Sequence, residues 1–312
     1  MAPIAVAELK QNKYPCNLDQ ETKFLTPGVR SMIISTFAFF MANVFVKQVA
    51  HIPAMETVFF RCAVATVFCV YGLRRAKASL IGSNHLMLLF RGMFGSTALF
   101  CFFLTIQNMP LASAQTIQYV SPIFTATIAI FVLGESVKAM QWVFYAIAFS
   151  GVLVIERFDD RISPFYLALG LLSAFCSGMA YNLVRSLRGK EHPLTVVLHF
   201  QLVGAVVGFI SLFFQWEWPQ GWDWLYLFLI GIFSQTGQMF LTHALQRERI
   251  AGVAIINYTG LIYAITVRWF VFGEAQPILS LLGMLLVVVG VVMSVMYGRR
   301  MSRLEEIEVT VA

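Results

Sequence analysis

Charge is what this 312-residue chain has least of: only 12% of its residues are Asp, Glu, Lys or Arg, against roughly 25% in soluble domains. So thin a polar supply cannot cover a water-soluble domain of this length. Paired cysteines are also missing. Cys16, Cys62, Cys69, Cys101 and Cys176 stand singly, four of them inside apolar runs, which argues against a disulfide framework and against a thiolate metal site. Catalytic signatures are missing as well: there is no HExxH, no GxSxG, no phosphate-binding P-loop and no carboxylate pair on one helix. His51, His85, His192, His199 and His243 lack close metal-ligand spacing. An integral membrane enzyme is left without a constellation to act through, and no cofactor is expected. Charges are too few and too dispersed to form the rings of an ion-selective channel.

What is present is apolar sequence: 59% of the chain is hydrophobic. It comes in blocks of about 17 to 25 residues, the length that crosses a hydrocarbon core of roughly 30 Å as a helix. Runs such as LLGMLLVVVGVVMSVMY lack the alternation of a barrel strand, so the spans are helical. The expected class is an all-α integral membrane protein with ten transmembrane helices, near 29–47, 53–73, 86–106, 112–133, 139–155, 165–186, 194–214, 223–244, 251–272 and 278–297. Residues 1–27 and 298–312 read as cytoplasmic tails, the first lacking the apolar core of a signal peptide.

The net charge of +6 is distributed by side rather than gathered for nucleic acid. With the amino terminus inside, only Lys47, Arg157 and Arg161 fall on the outer side, and Arg61, Arg91 and Arg268 lie within spans. Every other basic residue of the 22 is cytoplasmic, the bias expected of a plasma or inner membrane protein with both termini inside.

The chain also repeats itself. FVLGE ends at Glu135 and FVFGE ends at Glu274, and the same ungapped register pairs Gln107 with Gln246, Tyr119 with Tyr258 and Thr127 with Thr266. Internal duplication explains the agreement. The unit is five helices, 28–156 and 164–297. An odd number turns the second copy over, giving two inverted five-helix repeats, a common build for secondary transporters.

Arg91-Gly92 opening the third helix, PLASA with YVSPIFT in the fourth, and the closing Gly134-Glu135 resemble the EamA-like family of the drug/metabolite transporter superfamily. The likeness extends over roughly residues 29–297. The second half departs from it where Ile230 answers Arg91 and Leu261 answers Pro122. The resemblance implies a ten-helix carrier of small organic solutes that works by alternating access without an ATP-hydrolysing domain. A lipid or lipid-linked-sugar translocase of the same superfamily is the alternative. Export is the family-level expectation.

Candidate site residues follow from polarity inside the spans. Gln118 and Tyr119 match Asn257 and Tyr258 at mid-bilayer, beside Pro122 and Gly260, where a weakened helix frees carbonyls for a ligand. Hydrogen bonding between helices would use the same groups. Arg61 has the planar fork that suits a carboxylate or phosphate. Arg91, near the start of its helix, and Arg268, near the end of its own, either reach the cavity or snorkel to the membrane faces. Gln235, Gln238, Tyr181 and Asn182 add polar surface, and Asn43 with Trp269 can reach the cavity mouth.

Glu56 is the candidate for a coupling proton, or pairs with Lys47 across the outer loop. Its spacing from Arg61 places the two about 140° apart around the helix, too far to pair. His199 and His243 fit satisfied intramembrane histidines better than proton shuttles. Gly204 and Gly208 suit internal helix packing or a homodimer. Trp216, Trp218, Trp222 and Trp224 read as an interfacial belt. Three interior arginines against one interior glutamate favour an anionic or zwitterionic solute such as an organic acid or amino acid. The partners expected are that solute, the bilayer and a proton or other coupling ion.

Overall fold

The computed structural model describes residues 27–133, 139–158, 162–247, 260, 263 and 278–311. Among them the secondary structure is helical throughout: α1 (Pro27–Gln48), α2 (Ala54–Ala76), α3 (His85–Asn108), α4 (Leu111–Gln118), α5 (Ser121–Leu133), α6 (Ala139–Phe158), α7 (Pro164–Ser186), α8 (Pro193–Ser211), α9 (Asp223–Arg247) and α10 (Ile278–Val311). Among the described residues eight spans are long and apolar enough to cross a membrane, with Ala139–Ile155 a shorter apolar helix beside them. Of the predicted ninth span only Gly260 and Tyr263 are described, and Asn257, Tyr258 and Arg268 lie outside the described residues.

Local sequence sets the helix ends. Pro164 and Pro193 occupy first-turn positions, where the missing N–H costs nothing, and His192 Nδ1 accepts from Leu194 N–H at 3.3 Å. α2 ends on Arg74 and Arg75, cations suited to a helix carboxyl end, and Lys77 turns left-handed at φ 52°. One predicted span divides in two. α4 stops at Gln118, Val120 N–H bonds back to Ile117 O at 3.0 Å in a tightened turn, and α5 restarts at Ser121. Pro122 explains the break, because it has no N–H to offer the Gln118 carbonyl. The last helix runs on past the predicted end of its span, through the carboxyl-terminal tail to Val311.

Helices pair across the sequence: α1 with α9, α2 with α8, α3 with α7 and α6 with α10. Glycine permits the closest approaches. A Cβ on Gly151 would meet the Gly283 carbonyl oxygen at 2.6 Å, so α6 and α10 touch backbone to backbone. Gly204 and Gly208 face Cys62 and Phe59, so this Gly-x-x-x-Gly pair is consumed by α2 within the chain. The outer surface is apolar, with Phe131 84% and Phe214 82% exposed, while polar groups turn inward. That inversion of the soluble pattern suits a solvent of hydrocarbon.

Polar ties join the ends of the bundle. On one face Glu191 Oε1, in the α7–α8 loop, accepts from Ser83 N–H and Oγ and Asn84 N–H at 2.7 Å each, and from Asn84 Nδ2 at 3.1 Å. Desolvation works against ionisation there, but the sum of these donors from Ser83 and Asn84 outweighs it and holds the carboxyl at about 2. Thr195 Oγ1 adds a bond to Ser79 O at 2.7 Å. On the opposite face His51 Nε2 lies 3.0 Å from Asp223 Oδ2, and Lys47 Nζ donates to the carbonyls of Ile106, Gln107 and Met109.

Candidate functional site

A cavity of about 160 Å³ opens between α1, α2, α3, α4, α7, α8 and α9. Arg61 and Arg91 enter it from α2 and α3, each from the amino-terminal third of its helix. Both are almost wholly buried, at 2% and 3% exposure. Phe200 of α8 brings them together: its ring centroid lies 5.3 Å from the Arg61 guanidinium carbon and 4.7 Å from that of Arg91. The Arg61 carbon is also 6.0 Å from the Phe103 ring. Arg91 therefore does not snorkel. Its helix packs against α7 and α8, and Gly95 one turn on leaves the space its guanidinium occupies.

Cation–π contact attracts each guanidinium, yet leaves hydrogen bonding unmet. Nε and Nη1 of both arginines are buried without a hydrogen-bond partner. Two cations sharing one ring lie within about 10 Å, and repel by at least about 1.5 kcal/mol at an effective dielectric of about 20. Among the described lining residues none is acidic. The cavity therefore holds two adjacent positive charges that no described lining residue neutralises.

The other side of the cavity carries a polar network around Gln118. Gln118 Nε2 donates to Ser177 Oγ at 2.8 Å, while Ser173 Oγ lies 2.7 Å from Ala98 O and 3.0 Å from Gln118 Oε1. Tyr119, Gln238, Tyr181, Asn43 and Gly260 also line the space. Gln115 lines it too, with Nε2 unpartnered. Gln115, Gln118 and Tyr119 hang on α4 and the α4–α5 break, so the interrupted helix is what carries them to the site.

Some candidates fall elsewhere. Gln235 is not a lining residue: it accepts from Gln201 Nε2 at 3.2 Å and lies 2.9 Å from Cys69 Sγ, in the packing of α2, α8 and α9. Asn182 donates to Thr125 O and Gly178 O, fixing α7 against α5. Glu56 lies outside the cavity lining, fully buried, with Oε2 accepting from Glu217 N–H at 3.0 Å and Oε1 unpartnered. His199 Nδ1 is 2.9 Å from Thr195 O, a satisfied histidine. Cys62, Cys69, Cys101 and Cys176 are free and buried. Asn257, Tyr258, Arg268 and Trp269 lie outside the described residues.

Sequence reasoning missed Phe200, Gln115, Ser173 and Ser177. Phe200 is one of 29 phenylalanines and carries no signal of its own. The serines were legible only as an i, i+4 pair on one face of α7.

Comparison with known proteins agrees with this architecture. The model of the EamA-like transporter family matches twice, at residues 26–157 and 164–296. The pseudopaline exporter CntI of Pseudomonas aeruginosa is 31% identical over 268 residues, covering 85% of this chain and 94% of that protein. Solute carrier family 35 member G1 of Mus musculus is 28% identical over 282 residues, covering 84% and 76%. The S-adenosylmethionine uptake transporter of Rickettsia felis is 25% identical over 244 residues, covering 75% and 80%. One crystal structure superposes with a TM-score of 0.65 at 14% identity, over 87% of this chain and 98% of that one, a likeness of fold alone. The chain belongs to the EamA-like transporter family and is a multi-pass membrane transporter, not an enzyme.

Proposed function

Proceeding from membership in the EamA-like transporter family, we propose that this chain is a secondary-active exporter of small anionic or zwitterionic metabolites, working by alternating access. The observation that carries the reading is the pair of guanidiniums, Arg61 and Arg91, each with Nε and Nη1 unpartnered, turned into one central cavity. Burying an arginine in a span is costly, and two side by side are maintained at that cost where an anion completes them. Gln118, Tyr119 and Gln238 supply the remaining polar lining, with Asn257, Tyr258 and Arg268 the proposed contribution of the ninth span. Relatives named for pseudopaline export and S-adenosylmethionine uptake differ in cargo and direction, so the solute is argued from the cavity. Export is favoured by the exporter in Pseudomonas aeruginosa at 31% identity.

Two inverted repeats are supported by the pairing of the helices, and cytoplasmic termini by the placement of the basic residues. If α1 to α3 correspond to α7 to α9, a two-fold axis exchanges the α1·α9 contact with α7·α3 and maps α2·α8 onto itself. Two equal halves closing alternately around one site are what alternating access needs. Glu56 is the proposed coupling residue: its unpartnered oxygen lies at the face opposite the Glu191 tie, where protonation would release Glu217.

The test is counterflow in proteoliposomes loaded with organic acids, amino acids, nucleosides, sugars or organic cations. Anion exchange that is lost in Arg61→Met supports the proposal. Exchange of cations or neutral solutes alone, unchanged in that variant, would refute it.

A further inference from the structure

Resting on that anion reading, the cavity can be asked how many negative groups its solute carries. The unpartnered atoms decide. Among the described residues that line it, the buried polar atoms without a hydrogen-bond partner are Nε and Nη1 of Arg61, Nε and Nη1 of Arg91, and Nε2 of Gln115. All five are donors. Four belong to guanidiniums, which have no acceptor atom in any orientation, so an amide flip at Gln115 still leaves four donors unmet. The unpartnered acceptors Glu56 Oε1, Asn182 Oδ1 and Gln201 Oε1 belong to residues outside the lining.

A single carboxylate would neutralise one cation and leave its neighbour buried, unpaired and desolvated. An amino acid would add an ammonium, which needs an acidic or carbonyl-rich partner, and the described lining has no carboxylate. The rest of the wall includes Phe39, Phe40, Leu99, Phe102 and Phe103, suited to methylenes. Both guanidinium carbons lie within 5.3 Å of the Phe200 centroid. Two carboxylates joined by two or three methylenes, their carbons about 4 to 5 Å apart by ordinary bond lengths, can meet both. The cavity of about 160 Å³ has room for such a molecule with a few waters.

We propose that Arg61, Arg91 and Gln115 form a two-anion site, and that the transported solute is of the dicarboxylate class, with two carboxylates on a short apolar chain and no ammonium.

The test uses the full chain in lipid nanodiscs and a matched series: succinate and glutarate, monomethyl succinate, butyrate, and glutamate. Each is titrated against the thermal midpoint, and Kd is taken from the midpoint shift. Succinate or glutarate should bind at least tenfold more tightly than monomethyl succinate and butyrate. Arg91→Met should bring the dicarboxylate down to the affinity of the monocarboxylate. If Arg61→Met or Arg91→Met fails to fold, Arg91→Lys and Gly95→Ala supply the comparison, because each disturbs the geometry of one guanidinium while keeping the site's formal charge. Equal affinity for succinate and its half-ester, tighter binding of glutamate, or no binding by any dicarboxylate overturns the two-anion site. In those cases arginine-dependent anion counterflow would still stand. Stabilisation by cations, indifferent to both arginines, removes the two proposals together.

Discussion

Two walls of one cavity treat their polar groups in opposite ways. On the α4–α7 side Gln118, Ser173 and Ser177 bond to one another and to the Ala98 carbonyl. On the α2–α3 side Arg61 and Arg91 share Phe200 and leave four guanidinium nitrogens without partners. A satisfied network rigidifies its surroundings, whereas an unsatisfied one raises the energy of the empty site until a ligand arrives. The contrast separates architecture from binding within a few ångströms. Groups whose bonds are complete hold the helices, and groups whose bonds are open are the ones proposed to hold the solute.

The largest effect should come from emptying the open wall. Arg91→Met removes two charge-assisted donors, each worth about 1.5 to 3 kcal/mol, so uptake of an anionic solute into proteoliposomes should fall at least about a hundredfold. The thermal midpoint of the empty protein should not fall with it, since a like-charge repulsion disappears. Retained transport, or a midpoint that collapses, would make Arg91 a structural residue.

Gln118→Leu is the mirror experiment on the closed wall. It strands the Ser177 hydroxyl, while Ser173 keeps the Ala98 carbonyl, and should cost about 1 to 3 kcal/mol of stability by thermal or denaturant unfolding in detergent. A variant as stable as the parent, with lost affinity, would move Gln118 to the binding side.

Gly95→Ala sharpens the contrast without touching charge. The added methyl would collide with Arg91 Nη1 and lie 2.8 Å from the Phe200 ring. Displacing the guanidinium by about an ångström should weaken anion binding by roughly tenfold, about 1.4 kcal/mol, in a titration. Unchanged affinity would show that the position of Arg91 over Phe200 does not matter.

The smallest effect belongs far from both walls. The Glu191 carboxyl, at about 2 in the folded chain, lies below its ordinary 4.5, so its contribution is full above about pH 4.5 and disappears as pH falls towards 2. Glu191 is only half-buried, and solvent screening limits the contribution to about 1 kcal/mol or less. Glu191→Gln should therefore lower the midpoint slightly at pH 7 and not at pH 2. A loss independent of pH would trace the effect to packing.

Much of the fold was readable because hydropathy is a property of the chain taken in order. A run that must sit in hydrocarbon announces itself residue by residue, and Pro122 marked the broken span before its geometry was known. The site was readable as a set of intramembrane polar residues and no further. Gln235 and Gln238 show why. Three residues apart on α9, they project only about 60° apart, yet one packs against Cys69 and Gln201 while the other lines the cavity. Arg91 shows the same limit along the axis, since its position near a helix end fits a snorkelling side chain as well as an inward one.

By itself, then, the sequence determined a helical, multi-pass membrane chain of a transporter family, because span length, charge placement and motif are all recorded in one dimension. Only the tertiary structure decided that Arg61 and Arg91 meet over Phe200 and that Gln118 is already satisfied. Helix rotation and depth are fixed by packing against neighbours, at contacts such as Gly204 on Cys62 and Gly208 on Phe59. No local pattern encodes which polar groups that packing will bring within a few ångströms of one another.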